Sequence, residues 1–285
     1  MIHFSEYNYQ EADITARINK IRTSPDKPLG KDSLQTILNC IDLTSLNGND
    51  THEKILSVCR KAYSFSVLGE NIPNVAAVCF YPPFMATAKK ELAGKNIRIA
   101  SVAGGFPSGQ TSLKVKLDEI KYAIDGGADE IDTVISRGTF LEGEYNKVFD
   151  ELAAQKEVCG NIHLKVILET GELETVANIR KASETAINAG ADFIKTSTGK
   201  ISPAATGEAF VVMADTILEY YNKTGKMIGI KPAGGISEPE QAFLYLQLLS
   251  EILGEKWMNN NYFRIGASRL ADKVLNALVE RNELP

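Results

Sequence analysis

Lysine seldom sits inside an apolar run, yet this chain places one there three times. Lys165 lies in Leu164-Lys165-Val166-Ile167-Leu168-Glu169, Lys195 in Phe193-Ile194-Lys195-Thr196-Ser197, and Lys231 in Ile228-Gly229-Ile230-Lys231. Two aspartates are embedded in the same way: Asp42 between Ile41 and Leu43, and Asp132 in Glu130-Ile131-Asp132-Thr133-Val134. An ion taken out of water loses its hydration, so such positions must be paired or functional. A lysine that is desolvated beside a second ammonium loses its proton more readily than a lysine in water. Its free amine can then attack a carbonyl and form a Schiff base. That chemistry also needs a group to move protons, and Asp132 is placed to serve. A purely structural set of ion pairs would satisfy the same charges.

The elements that must hold these residues are short strands. Runs rich in Ile and Val occur at 38–43, 74–81, 98–102, 130–136, 164–169, 192–197, 227–232 and 262–266. Segments with helical periodicity separate them. One is 111–124, with Leu113, Val115, Leu117, Ile120 and Ile124. Another is 207–221, with Phe210, Val211, Met213, Ala214, Ile217 and Leu218. Cap-type residues with early acids mark helix starts at Asn49-Asp50-Thr51-His52-Glu53 and Ser237-Glu238-Pro239-Glu240. Alternation at about 30-residue intervals is the length of a strand–helix–strand unit. Eight such units predict a closed (β/α)8 barrel of the TIM type, and no GxGxxG follows the first strand to favour a dinucleotide-binding sheet.

Parallel strands covered by helices read as nearly continuous apolar runs. A period of two therefore sends Lys165, Glu169, Lys195, Lys231, Asp42 and Asp132 to the barrel interior, where their outward neighbours are apolar. The lysines fall on consecutive strands near their carboxyl ends, where barrel enzymes carry their chemistry. This arrangement favours a site over a purely structural network. Glu169 reads either as the ion partner of a lumen lysine or as a catalytic acid.

The loops after the last three strands are Ser197-Thr198-Gly199-Lys200, Pro232-Ala233-Gly234-Gly235 and Gly266-Ala267-Ser268-Arg269. Small residues, hydroxyls and freed backbone amides on neighbouring loops predict a phosphate cradle.

These stretches resemble the deoxyribose-phosphate aldolase family, most specifically at 191–200 and 230–235. The likeness extends to Ile41-Asp42-Leu43-Thr44, Val75-Ala76-Ala77-Val78-Cys79, 127–132 and 164–171, and covers about residues 37–280. It implies a class I aldolase that reversibly cleaves 2-deoxy-D-ribose 5-phosphate to acetaldehyde and D-glyceraldehyde 3-phosphate in deoxyribonucleoside catabolism, without metal or organic cofactor. By this resemblance Lys195 is the Schiff-base lysine, Lys231 lowers its pKa, and Asp132 relays protons through a water with Lys231. Asp42, Thr44, Cys79, Lys165 and Thr198 would meet the substrate, and Gly199, Lys200, Gly234, Gly235, Gly266 and Ser268 its phosphate. A homodimer is also compatible with it. Three departures stand out. Arg269 replaces a small hydroxyl residue, residues 101–107 fit the pattern loosely, and Glu283-Leu284-Pro285 stands where some members carry a tyrosine-ending tail. The other readings are an aldolase or transaldolase for a different phosphosugar on the same scaffold, and a catalytically silent sugar-phosphate binder.

Composition fits this picture. The 285 residues are 44% hydrophobic and 24% charged, with a net charge of −5. That balance offers no basic footprint for nucleic acid or an anionic membrane. No run approaches the about 20 apolar residues of a membrane span, and the amino terminus lacks a signal-peptide core, so the expected location is cytoplasmic. Cys40, Cys59, Cys79 and Cys159 form no CxxC pair and read as buried thiols. His3, His52 and His163 share no metal-ligand spacing; His52 reads as a helix start and His163 as a strand edge. Residues 1–36, with a short polar helix at 11–21 and a turn-rich stretch at 23–30, read as an amino-terminal extension. The catalytic barrel is expected over 37–285.

Overall fold

The structure, a computed structural model of the chain, describes residues 1–23, 29–69 and 71–282. Most of the turn-rich stretch at 23–30 and all of 283–285 lie outside the described residues. Eight parallel strands alternate with helices: β1 (Ile41–Thr44), β2 (Ala77–Phe80), β3 (Arg98–Ala103), β4 (Glu130–Val134), β5 (His163–Ile167), β6 (Phe193–Lys195), β7 (Gly229–Lys231) and β8 (Ile265–Ala267). Neighbours pair in the order β7-β6-β5-β4-β3-β2-β1-β8. Bridges Ile230–Phe263 and Ala233–Gly266 bring β7 back to the β8 segment, so the sheet closes. The chain is a (β/α)8 barrel.

The strands are shorter than the apolar runs that announce them. The first run splits, because Leu38 and Asn39 finish the helix Lys31–Asn39 and pairing begins only at Ile41. Outward residues such as Ile131, Leu164, Val166, Ile194 and Ile230 join the main core under the helices. Inside the barrel, Gly229 carries no side chain because the Phe193 ring fills its space; an added Cβ would lie 2.2 Å from that ring.

Helix ends follow local chemistry. Thr51 caps His52–Ala62 by accepting from the Lys54 amide, and Ser112 caps Leu113–Asp125 by accepting from the Val115 amide. Pro239 opens Pro239–Ile252, where its missing N–H costs nothing. One periodicity is corrected. In Leu113–Asp125 the buried positions are Lys116, Ile120 and Ala123, and Val115 is exposed. Lys116 faces inward because its ammonium donates to Ser136 at 2.6 Å and to Glu151 at 3.0 Å.

The polar amino-terminal helix spans Glu11–Arg22. The helix Lys31–Asn39 crosses residue 36 and buries Leu34, Ile37 and Leu38. Among the described residues no helix is long and apolar enough to cross a membrane.

Candidate active site

Register explains how the charged side chains meet. Asp132 pairs with Lys165 across β4 and β5, Ile167 with Lys195 across β5 and β6, and Lys195 with Lys231 across β6 and β7. All face one lumen, and Asp42, Asp132, Lys165 and Lys231 are fully buried.

Asp132 is the hub. Its Oδ1 accepts from Lys165 at 2.8 Å, while Oδ2 accepts from Lys195 at 2.8 Å and from Lys231 at 2.7 Å. Lys231 also donates to Asp42. Lys165 contacts Glu130 at 2.7 Å. Glu130 and Arg264, which sequence reasoning did not single out, complete the cluster. Arg264 donates to Asp42 at 2.7 Å and holds both Glu130 oxygens, at 2.8 and 3.1 Å. The signal was available, since Glu130 lies two residues before Asp132 on the same strand face and Arg264 two before Gly266.

The two upper lysines differ in ionisation. Burial pushes Lys195 below the ordinary lysine value and the Lys231 ammonium adds to this, outweighing the opposing pull of Asp132. Burial also disfavours the charge on Lys231, but Asp132 and Asp42 together outweigh it and raise its pKa. Contact with a second carboxylate makes the difference. For Asp132, burial favours the neutral acid, yet Lys165, Lys195 and Lys231 hold the carboxyl well below its usual range. The cluster thus presents one lysine that loses its proton more readily than usual, beside a lysine that holds its proton more tightly and a carboxylate.

Loop geometry holds Lys195 at its station. The Leu168 amide donates to the Lys195 carbonyl at 2.9 Å, and the Thr196 amide to the Lys231 carbonyl at 3.1 Å. Thr196 Oγ1 accepts from the Ala233 amide at 3.0 Å, and Ser197 Oγ donates to the Ala233 carbonyl. Lys195 opens onto a cleft of about 450 Å³. Thr44, Thr198, Gly199, Lys200, Gly234, Gly235, Gly266, Ser268 and Arg269 line this cleft as well. Asp42, Cys79, Lys165, Asp132 and Lys231 do not; they lie buried away from its surface. Lys200 reaches across to donate to the Leu46 carbonyl. Cys79 packs with Leu46, Ala100 and Val102 in an apolar cluster apart from the main core, with Tyr81 and Phe106 against it. Burial raises its thiol to about 11, and nearby Asp132 adds to the effect.

Glu169 departs from expectation. β5 ends at Ile167 and Glu169 is left-handed, with φ 58°, so the period of two no longer aims its side chain at the lumen. It accepts from the Thr198 amide at 3.1 Å and hydroxyl at 2.5 Å, and from Arg137 at 3.0 Å. Its cationic partner is Arg137, not a lumen lysine. His52 opens its helix and His163 begins β5. Among the described residues no cluster of His, Cys, Asp and Glu has the makings of a metal site.

Residues 36–246 match the model of the DeoC/LacD family of aldolases. The human deoxyribose-phosphate aldolase is 45% identical over 245 residues, covering 82% of this chain and 77% of its own length. The bovine deoxyribose-phosphate aldolase is 45% identical over 242 residues, covering 81% and 76%. The solved tetrameric deoxyribose phosphate aldolase of Aeropyrum pernix is 25% identical, with TM-score 0.67 over 93% of this chain and 97% of that one.

Proposed function

The chain belongs to the DeoC/LacD family of aldolases, and from that premise we propose that it reversibly cleaves 2-deoxy-D-ribose 5-phosphate to acetaldehyde and D-glyceraldehyde 3-phosphate. The names of its 43–45% identical mammalian relatives support the substrate. Breakdown of deoxyribonucleosides is the role that such a substrate implies. The observation that carries the mechanism is Lys195, a buried lysine beside Asp132 and Lys231 that opens onto a cleft lined by three glycine-containing loops.

The Lys195 amine adds to the C1 aldehyde of the open-chain sugar, and the carbinolamine loses water to leave an iminium ion. Removing the proton from the C3 hydroxyl then breaks the C2–C3 bond. Its electron pair flows into the iminium, giving an enamine on Lys195 and releasing D-glyceraldehyde 3-phosphate. Protonation of the enamine at C2 and hydrolysis release acetaldehyde and restore the amine. Asp132 and Lys231 supply and accept these protons, directly or through a water. Lys165 and Asp42 hold that pair from below. Thr44 and Thr198 meet the sugar hydroxyls, and Cys79 with its apolar neighbours backs the pocket. The loops bearing Gly199, Lys200, Gly234, Gly235, Gly266 and Ser268 would take the phosphate. There Lys200 would exchange the Leu46 carbonyl for an anion, and Arg269 would add a second cation.

The test is to incubate the protein with acetaldehyde, reduce with borohydride and locate the added mass by peptide mass spectrometry. A two-carbon adduct at Lys195, absent in Lys195→Ala, is expected. No adduct, together with no turnover of deoxyribose 5-phosphate, would sink the aldolase reading. Thermal stabilisation by that sugar phosphate without turnover would point to a silent binder.

A further inference from the structure

We propose that Arg264, sealed at the amino-terminal end of the barrel, is a positioning residue that leaves Lys195 short of a counter-ion by occupying Asp42 and Glu130. The inference rests on the Schiff-base role of Lys195 and goes beyond it, because Arg264 precedes β8 and is absent from the cleft lining.

Charge count in the lumen carries the argument. Four cations, Lys165, Lys195, Lys231 and Arg264, share three carboxylates, Asp42, Glu130 and Asp132, and all are buried. One positive charge is therefore in excess where water cannot screen it, and the cheapest remedy is for one cation to lose its proton. A guanidinium keeps its proton in proteins. Lys165 touches two carboxylates closely, and so does Lys231. Lys195 alone rests on a single oxygen, Asp132 Oδ2, which it shares with Lys231. It is the cation with least to lose.

Arg264 creates that shortage. It takes one oxygen of Asp42 and both oxygens of Glu130. Without it three lysines would face three carboxylates, and Lys195 would keep its proton. The guanidinium is held in place by the Asn260 carbonyl and lies 5.9 Å from the Phe193 ring centre. Other charged groups reach Glu130. Arg98 from β3 donates to it at 3.1 Å, and its side chain is 39% exposed, so solvent screens it. His163 from β5 lies 3.7 Å away. Lys195 itself is faced by Asp132 of β4, Lys231 of β7 and the Cys79 thiol of β2.

The test measures two pH profiles: kcat/KM for deoxyribose 5-phosphate, and the rate at which trace acetic anhydride acetylates Lys195, followed by mass spectrometry. Arg264→Met should move both toward alkaline pH, by on the order of one unit. Glu130→Gln raises the excess of positive charge and should move both toward acid pH. The double variant restores the one-charge excess, and Arg264→Lys preserves it, so both should return near the wild-type profile. The same set is made on a His163→Asn background, so that histidine titration does not contribute. Were Arg264→Met not to fold, the acid shift of Glu130→Gln and its reversal in the double variant would still decide. Folded single variants that leave both profiles in place, or move them in the same direction, would overturn the inference. A wild-type chain with an acid-shifted acetylation profile but no acetaldehyde adduct would instead remove the aldolase reading and leave this one standing.

Discussion

At the scale of single residues, the site is a problem of sharing one carboxylate among three ammonium groups. Asp132 is fully buried, so removing its charge leaves Lys195 without a carboxylate and takes one from Lys165 and one from Lys231. Asp132→Asn should therefore abolish turnover and cost about 3–5 kcal/mol of stability, measured by chemical denaturation at neutral pH. The pH dependence has a definite sign. The folded pKa of Asp132 lies below its unfolded value of 3.8, so its contribution is fully present above that value and fades as pH falls through the folded one. The variant should accordingly lose stability less steeply than wild type in acid. Lys231→Leu removes the neighbouring cation from Lys195 and, under the proposed mechanism, the proton carrier beside Asp132. Its kcat should fall by about 10²–10⁴. The adduct at Lys195 should remain trappable at alkaline pH, where the amine is free whatever its neighbours; a normal kcat would refute the role. Most of this cluster was legible because a charged residue between apolar ones on a parallel strand contradicts its surroundings. Glu130 and Arg264 were less legible because each lies at the amino end of its strand, whereas barrel chemistry sits at the carboxyl ends.

At the scale of elements, the alternation of apolar runs with helical segments gave the barrel, whereas strand limits were set by pairing the sequence does not record. β6 and β7 are each three residues long. The loops that follow them are defined by contacts between distant glycines. Gly234 has φ +86°, and a Cβ there would lie 2.7 Å from the Ala204 side chain and 3.0 Å from the Gly199 backbone. Gly234→Ala should push the two loops apart. The expected result is a loss of about 1–3 kcal/mol and a rise in KM for the phosphorylated substrate larger than any fall in kcat. An unchanged KM would show that the phosphate is not bound there. Glu169 escapes the period-two rule because that rule holds only while the strand lasts, and its left-handed backbone turns the carboxylate to the Thr198 loop instead. Glu169→Ala removes a charged acceptor from two Thr198 donors. KM for deoxyribose 5-phosphate should rise about tenfold or more, with the Lys195 adduct preserved, since Glu169 does not touch Lys195.

At the scale of the whole molecule, the first 22 residues are least explained by the barrel pattern, and the family match begins only at residue 36. Polar contacts and apolar ones both hold this segment, with Phe4, Ile14 and Ile18 in the main core and Ile2, Tyr7 and Ile21 packed against it. Ile14 and Ile18 are its buried helical residues, one turn apart. The anchor is Asp215 on the outer helix Gly207–Thr224, which accepts from Tyr7 at 2.6 Å and from both Arg17 nitrogens at 2.6 and 2.9 Å. Beside it Arg180 pairs with Glu184 and Glu219 and lies over the rings of Phe4 and Tyr7. Burial favours the neutral acid at Glu219, but Lys223, the Ser5 amide and Arg180 outweigh it and lower the carboxyl to about 2. We propose that this arm is an added brace on the outer ring rather than part of the catalytic unit. Its anchoring side chains meet helices, whereas the lumen cluster is carried by strands and the residues beside them. Arg17→Ala should then cost about 1–2 kcal/mol, seen as a fall of roughly 2–4 °C in Tm, while kcat/KM stays within about twofold. Asp215→Ala should lose a similar amount, and the double variant little more than either single, because both break the same contact. Strict additivity would show that the pair is not coupled. A fall in kcat/KM in step with Tm would tie the arm to the site, through the 170–206 region with which it shares a groove of about 540 Å³.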